Sequence, residues 1–235
     1  PCVADYTINN PVFLRLKKKF DLKRLASVEC VKSAFINERI VEIPFVLRGL
    51  AHIPAGGKIL DIGCAESILP LQMAGLGYRV TGLDVRRYPF IVPGFDFRQA
   101  DATAMPFSGG EFDAATCISM LEHVGLGHYE DPRHEGFADG KVMSEIARVL
   151  RPGGKIFLTV PCGTATTSEL QRTYDRARLS RVLQGFVIEE ERFVLSERAV
   201  GCLNDHWRDC SEAEAAQIVS PAKTACVYMV RARKV

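Results

Sequence analysis

No stretch of the 235-residue chain approaches the ~20 consecutive apolar residues that a membrane-spanning helix requires, so no membrane association is expected. Charge of one sign is lacking as well. Thirty Lys and Arg face 28 Asp and Glu, and the net charge of +2 gives no argument for a nucleic-acid partner. The N-terminal residues show no basic region followed by an apolar core and a small-residue cleavage site, so no secretory leader is expected. The eight cysteines, at 2, 30, 64, 117, 162, 202, 210 and 226, form no C-x-x-C pair. Several sit in apolar runs, where cysteine behaves as a small hydrophobe, and a reduced, cytoplasmic protein is the simplest expectation. Repeats, low-complexity segments and linkers are also missing. One domain over 1–235 is expected, with 1–55 as an N-terminal helical lid and 56–235 as the core. The basic cluster "LRLKKKFDLKR" (14–24) reads as a solvated helix surface, with contact to an acidic substrate or partner as the alternative.

What the chain does have is alternation. Residues 12–50 read mostly as helix, with Val28, Val31, Phe35, Ile40 and Val41 near helical spacing and Pro44 placed to kink or restart it. "KILDIG" (58–63), "YRVTGLDV" (78–85), "FDFRQAD" (95–101), "FDAATCISM" (112–120) and "KIFLTVP" (155–161) read as strands. Helices are expected at 66–77, capped by Ser67 with Pro70 in its first turn, at 139–154 and from about 173 to 184. Val142, Ile146, Val149 and Leu150 make the buried face of the second of these. "FVIEEERFVL" (186–195) and "ACVYMVRARK" (225–234) look like a closing pair. The pattern predicts an α/β, Rossmann-like, doubly wound and mostly parallel seven-stranded sheet, with an N-terminal helical extension and an antiparallel closing strand.

In such a sheet, ligands bind beyond the carboxyl ends of the strands, near the switch in strand order. Asp61 and Gly63 end the first strand there, and Cys64, Ala65 and Glu66 make a turn of small residues that lets backbone approach a ligand. Asp84 ends the second strand, where a carboxylate can accept hydrogen bonds from ribose hydroxyls. That feature is common to nicotinamide and methyl-donor folds. A dinucleotide site wants G-x-G-x-x-G, whereas this chain has Gly63, Ala65 and Ile68, so the pyrophosphate cradle is missing. Each acid alone could simply cap a turn.

Taken in order, "LDIGCAES", "VTGLDV", "QADATAMPF", "FDAATCISMLEHV" and "EIARVLRPGGKIFLTVP" resemble the class I S-adenosylmethionine-dependent methyltransferases. "ERIVEIPFVLRGL", "EHVGLGHYEDP" and "QRTYDRARLSRVLQGF" are similar to uncharacterised members associated with bacterial surface-sugar or secondary-metabolite pathways. The chain departs from the wider family at Ala65 and Ser67, where glycine is preferred. The resemblance implies S-adenosyl-L-methionine as cofactor and methyl transfer to oxygen or nitrogen of a small-molecule acceptor. It also implies the contacts. Gly63 and the turn after it, Cys64 and Ala65, would face the donor's aminocarboxypropyl end, Asp84 the ribose, and Asp101 and Ala102 the adenine, with Asp61 and Val85 also among the cofactor contacts. Ser119 and Leu121 would border the sulfonium and the acceptor.

A hydroxyl acceptor would need a base, and "EHVGLGHYEDPRHEGFADG" (122–140) offers candidates. His123 is the first choice, with Glu122 holding its other ring nitrogen or contacting the acceptor. His128, Tyr129, Asp131 and His134 stand behind it. The competing reading makes His123 a structural histidine bonded to a backbone carbonyl. Arg172, Tyr174 and Arg176 follow the fifth strand and could meet an anionic acceptor group. Glu38, Arg39 or Glu42 could reach inward from the N-terminal lid. No metal site is expected. Cys202, His206 and Cys210 would share a helical face, but chance spacing accounts for them better. A non-catalytic donor-binding or partner-regulating protein is the alternative to an enzyme.

Overall fold

Five apolar runs, each ending in an acid or a small residue, become five parallel strands in a computed structural model that describes residues 37–90, 92–130, 136–198, 205–219 and 225–235. The basic cluster, Asp131, His134 and Cys202 lie outside the described residues. The strands are β1 (Lys58–Ile62), β2 (Arg79–Asp84), β3 (Phe95–Gln99), β4 (Phe112–Ile118) and β5 (Leu150–Pro161). A short antiparallel pair, β6 (Thr166–Thr167) and β7 (Arg172–Thr173), follows, and then β8 (Phe186–Arg198), β9 (Asp205–Cys210) and β10 (Cys226–Lys234). The main sheet runs β3-β2-β1-β4-β5-β10-β8-β9, with β10 antiparallel to both β5 and β8.

The main sheet therefore has eight strands, not seven. The eighth is β9, which pairs antiparallel with β8 from Phe193↔Cys210 to Arg198↔Asp205. This also corrects the helical reading of 202–210, because His206 and Cys210 lie on a strand. Among the described residues, no group of His, Cys, Asp and Glu is arranged to hold a metal ion. No described helix is long and apolar enough to cross a membrane.

Side chains of a strand alternate between faces, and the two faces of the sheet are buried by different helices. Helices α1 (Arg39–Gly49) and α2 (Leu69–Gly75) cover one face, where Phe45, Val46, Leu50, Leu69 and Met73 pack on Ile59, Ala114 and Phe157. Phe45 meets Phe157 edge-on, with ring centroids 6.4 Å apart. Helices α3 (Ala138–Val149), α4 (Arg176–Val182) and α5 (Glu212–Ala216) cover the other, where Val142, Ile146, Leu179 and Val182 pack on Leu60, Ile156 and Leu158. Each of these large side chains contributes about 1.5–3 kcal/mol on burial.

Helix boundaries follow local chemistry. Helix α1 carries Pro44 in its interior rather than ending there. Helix α2 has Pro70 at its start, as expected, but its N-cap is Ile68. Ser67 sits one residue earlier and accepts from the Leu69 N–H at 3.1 Å. Helix α3 stops at Val149, short of the expected 154, because Leu150 already pairs with Phe112. The following Arg-Pro-Gly-Gly stretch is absorbed by a register shift between Phe112 and Ala114. Helix α4 begins at Arg176, where the Asp175 carboxylate accepts from the Arg178 N–H.

Candidate active site

The strand order reverses between β1 and β4, and a cavity of about 400 Å³ opens there at the carboxyl ends of the strands. Its walls are supplied strand by strand. Gly63 follows β1, Asp84 and Val85 end β2, Asp101 and Ala102 follow β3, and Ser119 follows β4. Glu122 and His123 close it on the far side. Eight of the eleven expected site residues thus meet at one cavity.

The other three support it from below. Cys64 is fully buried under the sheet, with its sulfur against Gly82: a Cβ at residue 82 would come within 2.7 Å of it. Ala65 contributes its backbone N–H, which donates to Asp84 Oδ2 at 2.9 Å. Asp61 is buried on the α1 face and accepts from the Thr116 hydroxyl at 2.5 Å, while its other oxygen has no partner. Burial pushes its carboxyl up to about 7, against the pull of Thr116 and Arg39.

Gly63 has φ +77°, and a Cβ there would sit 2.2 Å from Met120 Cγ. Only glycine lets the chain turn under Met120 and leave its backbone bare at the cavity wall. Asp84 accepts from Ala65 N–H through one oxygen and from Arg86 N–H at 2.9 Å through the other. Asp101 accepts from Thr103 N–H at 2.7 Å. Both acids therefore cap turns and line the cavity at once. A carboxylate oxygen has a second lone pair for a hydroxyl or amino group of a ligand.

Several wall residues were not singled out from the sequence as donor contacts. Arg86 bridges Asp84 and Glu66, the latter at 2.6 Å, and its guanidinium lies over the Tyr129 ring at 5.1 Å. Its position two residues past Asp84 is a signal that could have found it. Leu170 and Gln171, from the strap between β6 and β7, had no such signal.

Helix α1 reaches the same cavity through Glu38 and Arg39. Behind them Glu42 is fully buried and takes three bonds: from Ser119 Oγ at 2.6 Å, Thr159 Oγ1 at 2.5 Å and Arg39 Nη1 at 2.8 Å. Ser119 is held at φ +43°, a left-handed conformation that a side-chain residue adopts at some cost. Glu42 thus ties α1 to the ends of β4 and β5 and fixes Ser119 and Arg39 together. Replacing Glu42 with alanine would leave a guanidinium and two hydroxyls without their acceptor. Glu42→Ala is expected to lose about 3 kcal/mol in urea unfolding, with Glu42→Gln retaining part of it; a loss under about 0.5 kcal/mol would contradict this network.

His123 has one ring nitrogen engaged and one free. Nδ1 is 2.7 Å from the Leu170 carbonyl, so it carries the proton and Nε2 is left as an acceptor. Burial lowers its pKa, and the nearby Arg39, His128 and Arg172 push the same way against the Leu170 bond. The ring also meets Tyr129 edge-on at 5.0 Å. Glu122 Oε1 lies 3.8 Å from Nε2, beyond a hydrogen bond, and Glu122 Oε2 is buried without a partner. The expected bond from Glu122 to the histidine is therefore not formed here.

Desolvation raises the Glu122 carboxyl to about 8. An acid whose pKa is higher folded than unfolded holds its proton longer in the folded state, so stability is full below the unfolded value of about 4 and falls as pH rises toward 8. Glu122 and Asp61 both act in this direction. The ligand-free protein is expected to lose a few kcal/mol between pH 5 and pH 8.5, since each tenfold difference in proton affinity between the folded and unfolded chain is worth about 1.36 kcal/mol. Glu122→Gln should flatten the curve above pH 7. An identical slope in that variant would show that Glu122 is not the group responsible.

The strap arginines do not face the cavity mouth as expected. Arg172 donates to the carbonyls of Glu122 and Val124, and Arg176 pairs with Glu212 and Glu191. Tyr174 is buried and donates to Asp139. Arg172 acts instead on the backbone that presents Glu122 and His123.

Residues 60–158 match the family described as "Methyltransferase domain". A ubiquinone biosynthesis O-methyltransferase of Pseudomonas aeruginosa is 37% identical over 115 residues, covering 45% of this chain and 44% of that protein. The chain thus spans under half the length of that relative. Among solved structures, a methyltransferase of Methanosarcina mazei aligns with a TM-score of 0.56 at 18% identity, over 82% of this chain and 97% of that one. The 1,6-didemethyltoxoflavin-N1-methyltransferase of Burkholderia thailandensis, with bound S-adenosylhomocysteine, aligns at 0.57 and 17% identity, over 94% and 87%. At those identities the likeness is one of fold. The sequence match falls on the very strands that carry the cavity walls, so residues 60–158 carry a methyltransferase domain with the fold of S-adenosylmethionine-dependent methyltransferases.

Proposed function

We propose that the protein moves the methyl group of S-adenosylmethionine to an oxygen or nitrogen of a small-molecule acceptor, with His123 as the base that takes the acceptor's proton. The observation that carries this is the free, unprotonated Nε2 of His123 in the cavity wall, with Nδ1 held by the Leu170 carbonyl. A cavity of about 400 Å³ lies in the range of small-ligand sites. The bare backbone of Gly63 and the strand-end acids Asp84 and Asp101 suit an adenosine with an amino-acid tail. Asp84 would accept from the ribose hydroxyls beside Val85, and Asp101 with Ala102 would take the adenine edge. Asp61, Gly63, Cys64 and Ala65 would bear on the aminocarboxypropyl end, Cys64 and Ala65 by shaping the turn rather than by side-chain contact.

The bound donor supplies a methyl group on a positively charged sulfur, open to in-line displacement. The chain's task is alignment, which can contribute ~7–11 kcal/mol to lowering the barrier. Ser119 and Met120 form the wall where the acceptor would approach, Met120 in place of the expected Leu121, which is buried in the core, and Ser119 is locked in place by Glu42. His123 in its neutral form accepts the proton. Glu122, uncharged below about pH 8, adds no negative charge that would trap that proton on the ring.

Incubation with S-adenosylmethionine labelled in the methyl group, against a panel of phenols, sugars and amines, tests the reading. Label is expected on at least one hydroxyl- or amine-bearing acceptor. Donor binding without transfer to any acceptor would favour the non-catalytic alternative. The domain's near-neutral charge supports a small acceptor over a nucleic acid, and the lack of any C-x-x-C pair, with the described cysteines as free thiols, supports a cytoplasmic location.

A further inference from the structure

Three of the eight cysteines meet at one place outside the donor cavity. Cys162 lies one residue past β5, Cys226 begins β10, and Cys210 ends β9. Cys162 Sγ is 3.1 Å from Cys226 Sγ, and Cys226 Sγ is 3.9 Å from Cys210 Sγ. All three are free thiols. Beside them a second cavity of about 270 Å³ is lined by Cys162, Tyr174, Arg176, Phe193 and Glu212.

We propose that Cys162 and Cys226 are a peroxide-oxidisable pair that closes reversibly into a disulfide at the root of the strap carrying Leu170, Gln171 and Arg172. The backbone already meets the requirement. Val227 pairs with Pro161 in the antiparallel ladder, which puts Cys226 opposite Cys162, and Cys162 N–H donates to the Cys226 carbonyl at 2.9 Å. Directly opposed residues of an antiparallel pair have Cα atoms about 4.5–5.5 Å apart, within the ~4.4–6.8 Å that disulfides span. Only side-chain rotation is needed to bring the sulfurs to bonding distance.

The chemistry balances with hydrogen peroxide as oxidant. Cys226, the more acidic thiol of the two, attacks peroxide as its thiolate to give a sulfenic acid and hydroxide, which takes up the displaced proton as water. Cys162 then attacks that sulfur, and the hydroxyl leaves as a second water with the Cys162 proton. Two thiols are oxidised by two electrons and one peroxide is reduced to two waters. The thiol of Cys162 donates to Cys226 and, with Cys210, holds the Cys226 thiol below its ordinary value, which favours Cys226 as the thiolate that meets peroxide; the bond it gives and its burial push the Cys162 thiol up.

The link would act on the strap through short connections. Gly163 N–H donates to the Tyr174 carbonyl at 3.0 Å, Tyr174 N–H to Pro161 at 2.9 Å, and Arg172 N–H to Glu122 at 3.0 Å. Closure of the pair requires neither the methyl donor nor an acceptor, and it is read without them.

The full chain, reduced and desalted, is treated with a few equivalents of hydrogen peroxide, alkylated, digested and mapped by mass. A Cys162–Cys226 cross-linked peptide, two hydrogens lighter than the pair and abolished by dithiothreitol, is expected. Cys210→Ser should retain it. With Cys162→Ser and Cys210→Ser combined, Cys226 should pass on to sulfinic acid. Full alkylation of Cys162 and Cys226 after peroxide would overturn the proposal. So would wild-type mapping that finds either one as sulfinic acid, or joined instead to Cys2, Cys30 or Cys202.

Discussion

Asp84→Ala should weaken binding of S-adenosylmethionine by tenfold or more, measured by calorimetry against the demethylated product as a second ligand. Hydrogen bonds to a charged group are worth about 1.5–3 kcal/mol, so losing even one bond to a ribose hydroxyl corresponds to roughly ten- to a hundredfold. The carboxylate also receives Ala65 N–H and Arg86 N–H, so its removal loosens the turn that follows Gly63. Two effects then add, one on the ligand and one on the shape of its seat. A thermal melt in the absence of ligand separates them: a drop of a few degrees belongs to the turn, and loss beyond that belongs to the contact. Asp84→Asn is the sharper variant. Its amide can offer an oxygen to only one of the two N–H groups and turns an NH₂ toward the other. Donor affinity unchanged in both variants would remove Asp84 from the ribose position and weaken the reading of the whole cavity.

The strand-end acids were legible in the sequence for a physical reason. A buried parallel strand is a short apolar run, and an acid at its end marks where it leaves the core. "RVTGLD" therefore announced both the strand and its exit, whereas the acid of "KILDI" is itself buried, one residue before its strand ends. Strand β9 was not legible. Asp205–Cys210 reads Asp-His-Trp-Arg-Asp-Cys, the charged composition of a protected edge, which carries no apolar alternation to mark it. Its existence depends on β8 being available to pair with.

The site divides in the same way. Residues that stand at or just past a strand end (Gly63, Asp84, Asp101) could be placed at the cavity from spacing, and Ser119 from the family resemblance. Glu42 could not be singled out from its neighbours on α1. Its partners Ser119 and Thr159 lie 77 and 117 residues away, and only the docking of α1 brings them together. Leu170 gave no signal because its contribution is a backbone carbonyl, which any residue would supply. Arginines 172 and 176 were open to two readings, contact with an anionic ligand or surface arginines flanking a helix start, and their internal acceptors favour the second.

His123→Ala should lower kcat on a hydroxyl acceptor by ~10²–10⁴-fold, the usual worth of a positioned base, while donor affinity changes by less than about threefold. The separation matters because the Leu170 carbonyl already binds the ring, and a purely structural histidine would move stability and both constants together. The pH profile makes the distinction again. With its pKa lowered by burial, His123 is neutral and able to accept a proton across the neutral range, so kcat/KM in the wild type should rise with pH to a plateau whose midpoint lies below 6.5. In His123→Ala that limb should vanish, leaving a rate that climbs with the ionisation of the acceptor itself. Glu122 enters at higher pH. Its ionisation near 8 places a carboxylate 3.8 Å from Nε2, which raises the basicity of the ring and retains the proton it has taken. Glu122→Gln should leave the lower limb in place and remove any inflection near pH 8. Wild-type activity in His123→Ala with a hydroxyl acceptor would end the base assignment and leave alignment alone as the chain's contribution.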